Sequence, residues 1–315
     1  MNRLGSITSI AAVVLMMTAP ALAQKNLDGV GRAIVTVLPA HAGDAVAPVA
    51  AQSVKIKVSG RSSGVINWTP LRGPNNRVEL VLLIDGSART SLGEQMGDIT
   101  GFIKEIPANT SLALAYMMNG SAQFAGPFST DPAAVLRGLH MPIGSAGSNG
   151  SPYICLSDLA RHWPSQDRSA RREVVMISDG VDEYEMRYDP DDPYVHTAIN
   201  DSVRAGLVVY SIYWVSRGRA DQTTYENNAG QNLLLAVTEA TGGNSYWEGI
   251  GNPVSFSPYF EDLRRRLRNQ YLLGFVSRLD GKPEVETLKV EVDDHSVKLS
   301  APKQVFVDRA GVAAK

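Results

Sequence analysis

Cysteine is all but missing from this sequence. Cys155 stands alone among 315 residues, so no internal disulfide can form. Its setting, Tyr153-Ile154-Cys155-Leu156, is apolar and predicts a buried packing residue rather than a nucleophile. Excess charge of one sign is missing too. The 30 Lys and Arg face 32 Asp and Glu, a formal net charge of −2, which gives no electrostatic case for nucleic acid or an anionic membrane surface. The five histidines are scattered, and none has metal-ligand spacing. There is no Gly-x-Ser-x-Gly elbow and no Gly-x-x-x-x-Gly-Lys phosphate loop. Apolar runs long enough to span a bilayer are lacking as well.

The longest apolar run near the start, Ile10–Met17, has a different meaning. Arg3 precedes it and Ala21-Leu22-Ala23 follows, the charged start, short greasy core and small-x-small end of a secretory signal. Cleavage after Ala23 would leave a mature chain without a membrane span, exported to the periplasm or beyond the cell. An exported chain without disulfides must rely on its core, and this length allows one large core plus a smaller unit.

Residues 24–76 read as β structure. Ala33–Leu38 is one short run. In Val54–Val58, Lys55 and Lys57 alternate with Val54, Ile56 and Val58, a strand with one wet face. The breaker cluster Arg72-Gly73-Pro74-Asn75-Asn76 marks a boundary. From there to 268 the pattern changes to alternating strands and helices. Val78–Ile84 is continuously apolar apart from Glu79, as expected of a strand covered on both faces. Leu92, Met96, Ile99, Phe102, Ile103 and Ile106 form one helix face, with Ser91 and Glu94 placed as a capping box. Further helices are expected after Asp131-Pro132, after Ser151-Pro152, over 193–205, over 232–240 and over 259–268. Strands are expected over 112–117, 123–128, 173–178, 207–214 and 245–247. In the last helix, Arg264, Arg265, Arg266 and Arg268 surround Leu263 and Leu267, a wet face with Leu inward. Residues 269–310 revert to β, with Leu279-Asp280-Gly281-Lys282 reading as a hairpin turn.

The expected fold is therefore α/β. A doubly wound, mostly parallel, Rossmann-like sheet with helices on both faces occupies 77–268. A small β-sandwich is expected from the paired N- and C-terminal segments.

Two buried strands end alike, at Asp85-Gly86-Ser87 and at Asp179-Gly180. In open α/β sheets, ligands bind beyond the carboxyl ends of the strands. Two acids delivered there repel each other and call for positive charge between them. The Gly-rich loop 144–150, leading into Ser151, is a third contributor. Oxygen ligands with few carboxylates suit Mg²⁺ or Mn²⁺.

In their order along the chain, these motifs resemble a von Willebrand factor type A (VWA) domain with its metal-ion-dependent adhesion site. Asp85 and Ser87 match the first two positions of its Asp-x-Ser-x-Ser motif. Ser151 stands at the position of a threonine, and Asp179 matches the later aspartate. The tail from Leu263 through "LRRRLRNQYLLGF" to "LKVEV" is similar to a bacterial, exported subgroup of such proteins. The resemblance implies a non-enzymatic binding or adhesion module. Its protein partner would complete the metal shell with an acidic side chain.

One residue departs from the motif. Arg89 occupies the place of the second serine, and two readings stay open. Folded inward, its guanidinium replaces the cation between Asp85 and Asp179. Folded outward, it leaves a site one ligand short, with Thr90 offering a hydroxyl. The loop after Asp179 is acidic and tyrosine-rich, and Tyr184, Tyr188, Asp189 and Tyr194 are candidates for partner contact. The plainer reading is a solvated loop that caps the next helix at Asp192-Pro193. Two other functions remain: a metal-dependent hydrolase, for which no general base stands out, and a structural component of the cell envelope.

Overall fold

A computed structural model describes residues 28–310, apart from 42, 74–75, 89, 146–147, 183, 185–190, 216–222, 250 and 280. Residues 1–23, expected to be a secretory signal, therefore lie outside the described residues, as do Arg89, Tyr188 and Asp189.

The α/β part is built on β4 (Val78–Asp85), all eight residues of which are buried. Alternate side chains go to opposite faces of a strand. Leu80, Leu82 and Ile84 join a core with α1 (Met96–Lys104) and α6 (Ser257–Arg268). Val81 and Leu83 join a second core with α3 (Pro152–Arg161), α4 (Pro193–Ala205) and α5 (Thr224–Thr241). The unbroken apolar run at 80–84 exists because both faces are covered.

Around β4 lie β5 (Thr110–Met118), β6 (Ser121–Phe124), β7 (Arg171–Ser178), β8 (Leu207–Tyr213) and β9 (Ser245–Tyr246), in the order β6-β5-β4-β7-β8-β9. The order reverses between β4 and β7. The short helix α2 (Pro132–Leu136) follows β6, with Asp131 Oδ1 accepting from Ala133 N at 2.9 Å.

The remaining strands form a second body. These are β1 (Asp28–Pro39), β2 (Val54–Val58), β3 (Arg61–Pro70), β10 (Gln270–Arg278), β11 (Glu284–Val292), β12 (Val297–Ser300) and β13 (Gln304–Arg309). They run β10-β3-β2-β11-β13-β1, and β1 pairs again with β10. The result is a closed six-stranded antiparallel barrel, with β12 pairing the last residues of β1, Thr36–Pro39, beyond the stretch that pairs with β13. Val35, Val37, Leu273, Phe275 and Val307 fill it. Gly31 is needed at the wall, since a Cβ there would meet the ring of Phe275.

Two expectations are corrected here. The terminal segments make no small β-sandwich; they close into a barrel. Closure depends on β3, which bridges β2 and β10 and which the sequence hid. Its residues are exposed or half-buried, so no apolar alternation marks it. The α/β sheet is also not a simple doubly wound parallel one. It is mixed, because β6 returns from β5 through Asn119-Gly120 and pairs antiparallel at the edge.

Smaller differences have local causes. The turn at 279–282 joins β10 to β11, which are not neighbours in the barrel, so it closes no hairpin. The α-helix expected from Ser91 begins at Met96, after a 3₁₀ segment Thr90–Gln95. Helix α5 starts eight residues before the expected 232, with Thr223 and Glu226 forming a capping box. Its first half carries Asn227, Asn228 and Gly230, which disguised it as a loop.

The barrel docks at the end of the sheet opposite Asp85 and Asp179. Lys303 N donates to Glu239 O at 2.9 Å near the end of α5, and Arg204 of α4 lies over the Phe306 ring at 4.8 Å.

Candidate functional site at the C-terminal edge of the sheet

Asp85 and Asp179 emerge from adjacent parallel strands. Ile84 is in register with Ile177, so Asp85 stands level with Ser178 and one residue short of Asp179. Both carboxylates are buried. They sit where the strand order reverses, the usual ligand crevice of open α/β sheets.

Asp85 is densely bonded. Its Oδ1 accepts from Ser87 N at 2.8 Å and Ser87 Oγ at 2.6 Å. Its Oδ2 accepts from Asn149 Nδ2 and Ser178 Oγ, both at 3.0 Å. Asp179 Oδ1 accepts from Val181 N at 3.0 Å. The turn behind it is rigid. Gly180 has φ 69°, Tyr153 Oη donates to its carbonyl at 2.7 Å, and Gly230 of α5 rests against the Asp179 carbonyl with no room for a Cβ.

Ser151 takes two roles. As the cap of α3 its Oγ accepts from Ile154 N at 3.3 Å, and it donates to Asp182 Oδ2 at 2.7 Å. Asp182 was legible only as one acid in a polar loop, yet it is fully buried, with Oδ1 taking Tyr184 N at 2.8 Å. Asp192 is buried as well, and caps α4 by accepting from Tyr194 N at 2.7 Å and Val195 N at 3.2 Å. Asn149 and Ser178, both direct partners of Asp85, were also missed. Their signal was position alone: one closes the Gly-rich loop, and the other precedes Asp179.

Four buried carboxylates thus share this rim. Neighbouring side chains register the charge. Burial first, then Asp182, Asp192 and Asp179, push the Tyr153 hydroxyl far above its ordinary range. Burial and then Asp179 raise Tyr213, and burial and then Asp85 raise the Cys155 thiol. Cys155 is a buried packing residue, as its context implied. The N-termini of α3 and α4, at Ser151 and Asp192, point their partial positive charge at the same acids.

Among the described residues, no group of three or more His, Cys, Asp or Glu is placed to hold a metal ion. The oxygen set still suits a hard cation that keeps several waters. Ser87 and Ser151 each give their hydroxyl proton to a carboxylate, which leaves oxygen lone pairs for another ligand.

The surface around the acids is unusual. Eight large apolar side chains are exposed among the described residues, and six belong to this rim: Ile143, Tyr184, Tyr194, Tyr225, Trp247 and Val254. Ile143 precedes Gly144, whose N–H donates to Gly86 O at 3.1 Å. Tyr184 and Tyr194 are paired, with ring centroids 6.3 Å apart. Tyr225 begins α5, and Trp247 follows β9. The carbonyl of Val254 accepts from Gln95 at 3.1 Å, beside the start of α1. Ile143 and Val254 are 87% and 92% exposed. A cleft of about 320 Å³ opens elsewhere, at the sheet edge by β5 and α2, lined by Leu112, Leu114, Phe128, Val135 and Arg137.

No protein-family model and no curated protein sequence matches the chain. Solved structures similar to it include an aerotolerance-related membrane protein from Bacteroides fragilis, at 14% identity and TM-score 0.42 over 60% of this chain and 98% of that one. The manganese-loaded TRAP protein of Plasmodium vivax is similar at 13% identity and TM-score 0.41, over 76% of this chain and 98% of its own. The SpRpn10 VWA domain is similar at 12% identity and TM-score 0.32, over 57% and 97%. At these identities and scores the likeness carries no inference about what this chain binds.

Proposed function

We propose that this chain is an exported, non-enzymatic binding module that engages a protein partner with the C-terminal rim of its sheet. The observation that carries this reading is the coincidence of buried acids and exposed apolar side chains on one rim. Scattered exposed apolar residues need no explanation, but a set gathered around one site marks an interaction surface. Tyrosine and tryptophan give such a surface large rigid contact area.

The centre of the rim is a degenerate adhesion site. Asp85, Ser87, Ser151 and Asp179 would supply oxygens for Mg²⁺ or Mn²⁺, and a bound cation would offer a free position to a partner's carboxylate. Arg89 is the competing source of positive charge. Titration with Mn²⁺, read by electron paramagnetic resonance, separates the two. Binding that is lost in Asp179→Ala assigns the compensation to a cation, and no binding in either protein assigns it to the arginine.

The organisation that goes with this reading is 24–76 and 269–310 as one unit and 77–268 as the binding unit inserted between them. Export rests on Arg3, Ile10–Met17 and Ala21-Leu22-Ala23, and a mature N-terminus at Gln24 by sequencing tests it.

Site-specific photo-crosslinking in the native host tests the binding reading. A crosslinker replacing Ile143 or Tyr225 is expected to trap the same protein, and one replacing Ile66 on β3 of the barrel is not. Equal trapping from the barrel, or none from the rim, overturns the reading.

A further inference from the structure

At the opposite end of the sheet, where the chain passes twice between barrel and α/β unit, lies a buried polar cluster. We propose that Glu173, Arg171 and Gln270 form a protonation-controlled latch that joins the two units.

Both passages end on this cluster. On the first, between β3 and β4, Arg171 Nη1 donates to Asn76 Oδ1, and Arg171 N donates to Arg77 O at 2.9 Å. On the second, between α6 and β10, Arg171 Nη2 donates to Leu267 O at 3.2 Å. Gln270, the first residue of β10, donates through Nε2 to Tyr210 Oη at 3.2 Å, and its carbonyl accepts from Leu71 N at 2.9 Å. The two crossings are thus tied to β7 and β8 through a few side chains.

Glu173 is fully buried in the middle, and it is poorly served. Arg171 Nε is 3.5 Å from Oε1, an ion-pair distance without hydrogen-bond geometry. Among the described residues no donor meets either Glu173 oxygen in good hydrogen-bond geometry, although the Gln270, Tyr210 and Arg171 side chains lie close enough to favour its ionised form, and the buried Gln270 Oε1 has no donor either. One proton resolves both shortages. A protonated Glu173 gains an O–H to give, and Gln270 Oε1 is the acceptor without a donor. That bond would run from β7 to β10, across the joint. Ionised, Glu173 brings no donor, and all three buried acceptors, its own two oxygens and Gln270 Oε1, stay poorly met out of water.

The surroundings agree. On its own strand Glu173 faces Arg171, and from β8 it faces Tyr210. From β10 comes Gln270. From β4 comes Leu80, level with Glu173 across the ladder, and Leu263 and Leu267 of α6 belong to the same buried cluster as Leu80. Arg266 of α6 acts beyond Tyr210, where it is bound to Asp262 at 2.6 Å, and Tyr246 of β9 donates to the same Asp262 at 2.9 Å. Burial pushes the Glu173 carboxyl up to about 7, while Arg171, Gln270 and Tyr210 oppose the rise. Burial lowers Arg171, but a guanidinium stays charged across this range.

The sign follows from linkage. The folded carboxyl titrates above its unfolded value. Its contribution is full below the unfolded value and is lost as pH rises through about 7. The latch is therefore closed at pH 6 and loosened at pH 8.

Hydrogen exchange on the full chain at these two pH values tests it, with rates corrected for intrinsic exchange. Between pH 6 and 8, protection of the Leu71 and Arg171 amides is expected to fall about tenfold. Protection of the rim amides of Ser87 and Trp214 is expected to hold. In Glu173→Gln, which cannot ionise, the fall at the joint disappears. No fall in the wild-type protein, an equal fall at the rim, or the same fall in Glu173→Gln each overturns the proposal. The wild-type comparison stands by itself if the variant does not fold.

Discussion

The two ends of the central sheet solve one problem in opposite ways. Each buries carboxylates at strand termini. At the barrel end, Glu173 is sealed beneath β10 and α6, and Glu79 accepts from Trp163 Nε1 at 2.7 Å. The groups that serve these acids also join parts of the same molecule. At the rim, Asp85, Asp179, Asp182 and Asp192 are bonded to backbone amides, hydroxyls and one carboxamide, and nothing described covers the apolar side chains around them. A chain that needed only to neutralise strand-end acids could have done at the rim what it does at the base. The difference fits the proposal that the base is an internal joint and the rim the binding surface.

The comparison can be broken by substitution. The largest effect is expected at Asp85. In Asp85→Ala, Ser87, Asn149 and Ser178 lose their shared acceptor, and a loss of about 3–5 kcal/mol in urea unfolding is expected. A loss under 1 kcal/mol would mean that the rim acids are not the organised network described above. Next is Gly230→Ala. The added methyl would press on the Asp179 carbonyl, and about 1–3 kcal/mol should be lost by the same measurement. At the base, Glu173→Gln is expected to act only with pH. Thermal unfolding should show a gain of about 2–3 kcal/mol over the wild-type protein at pH 8 and none near pH 4. A gain of equal size at both pH values would remove the contrast in charge handling between the two ends.

What the sequence disclosed follows the same divide. Val78–Asp85 and Leu207–Tyr213 were visible because strands buried on both faces leave unbroken apolar runs. Helix α4 was legible to the residue, through Asp192-Pro193 at its start and Gly206 past its end. The placement of Asp85, Ser87, Ser151 and Asp179 at one rim followed from strand order. The barrel was not legible, because β3 carries too little apolar pattern to announce the strand that closes the ring. Nor was the burial of Asp182 and Asp192. Both lie in an acidic run whose composition reads as solvated, and only the tertiary packing of α3 and α4 takes them out of water. The exposed apolar rim was half visible. Tyr184 and Tyr194 stood out in the loop and Tyr225 follows the strand expected over 207–214 on the same edge, but Ile143, Trp247 and Val254 come from two other connections that only the fold gathers.

The most direct test of the rim as a binding face is a triple variant, Ile143→Ser, Tyr225→Ser and Val254→Ser, in a chain carrying its crosslinker at Tyr184. These side chains contribute little to the fold, so Tm is expected to stay within about 2 °C of the parent. Partner trapping is expected to vanish. Undiminished trapping by the variant, at an unchanged Tm, would contradict the assignment of this rim as the surface the protein uses.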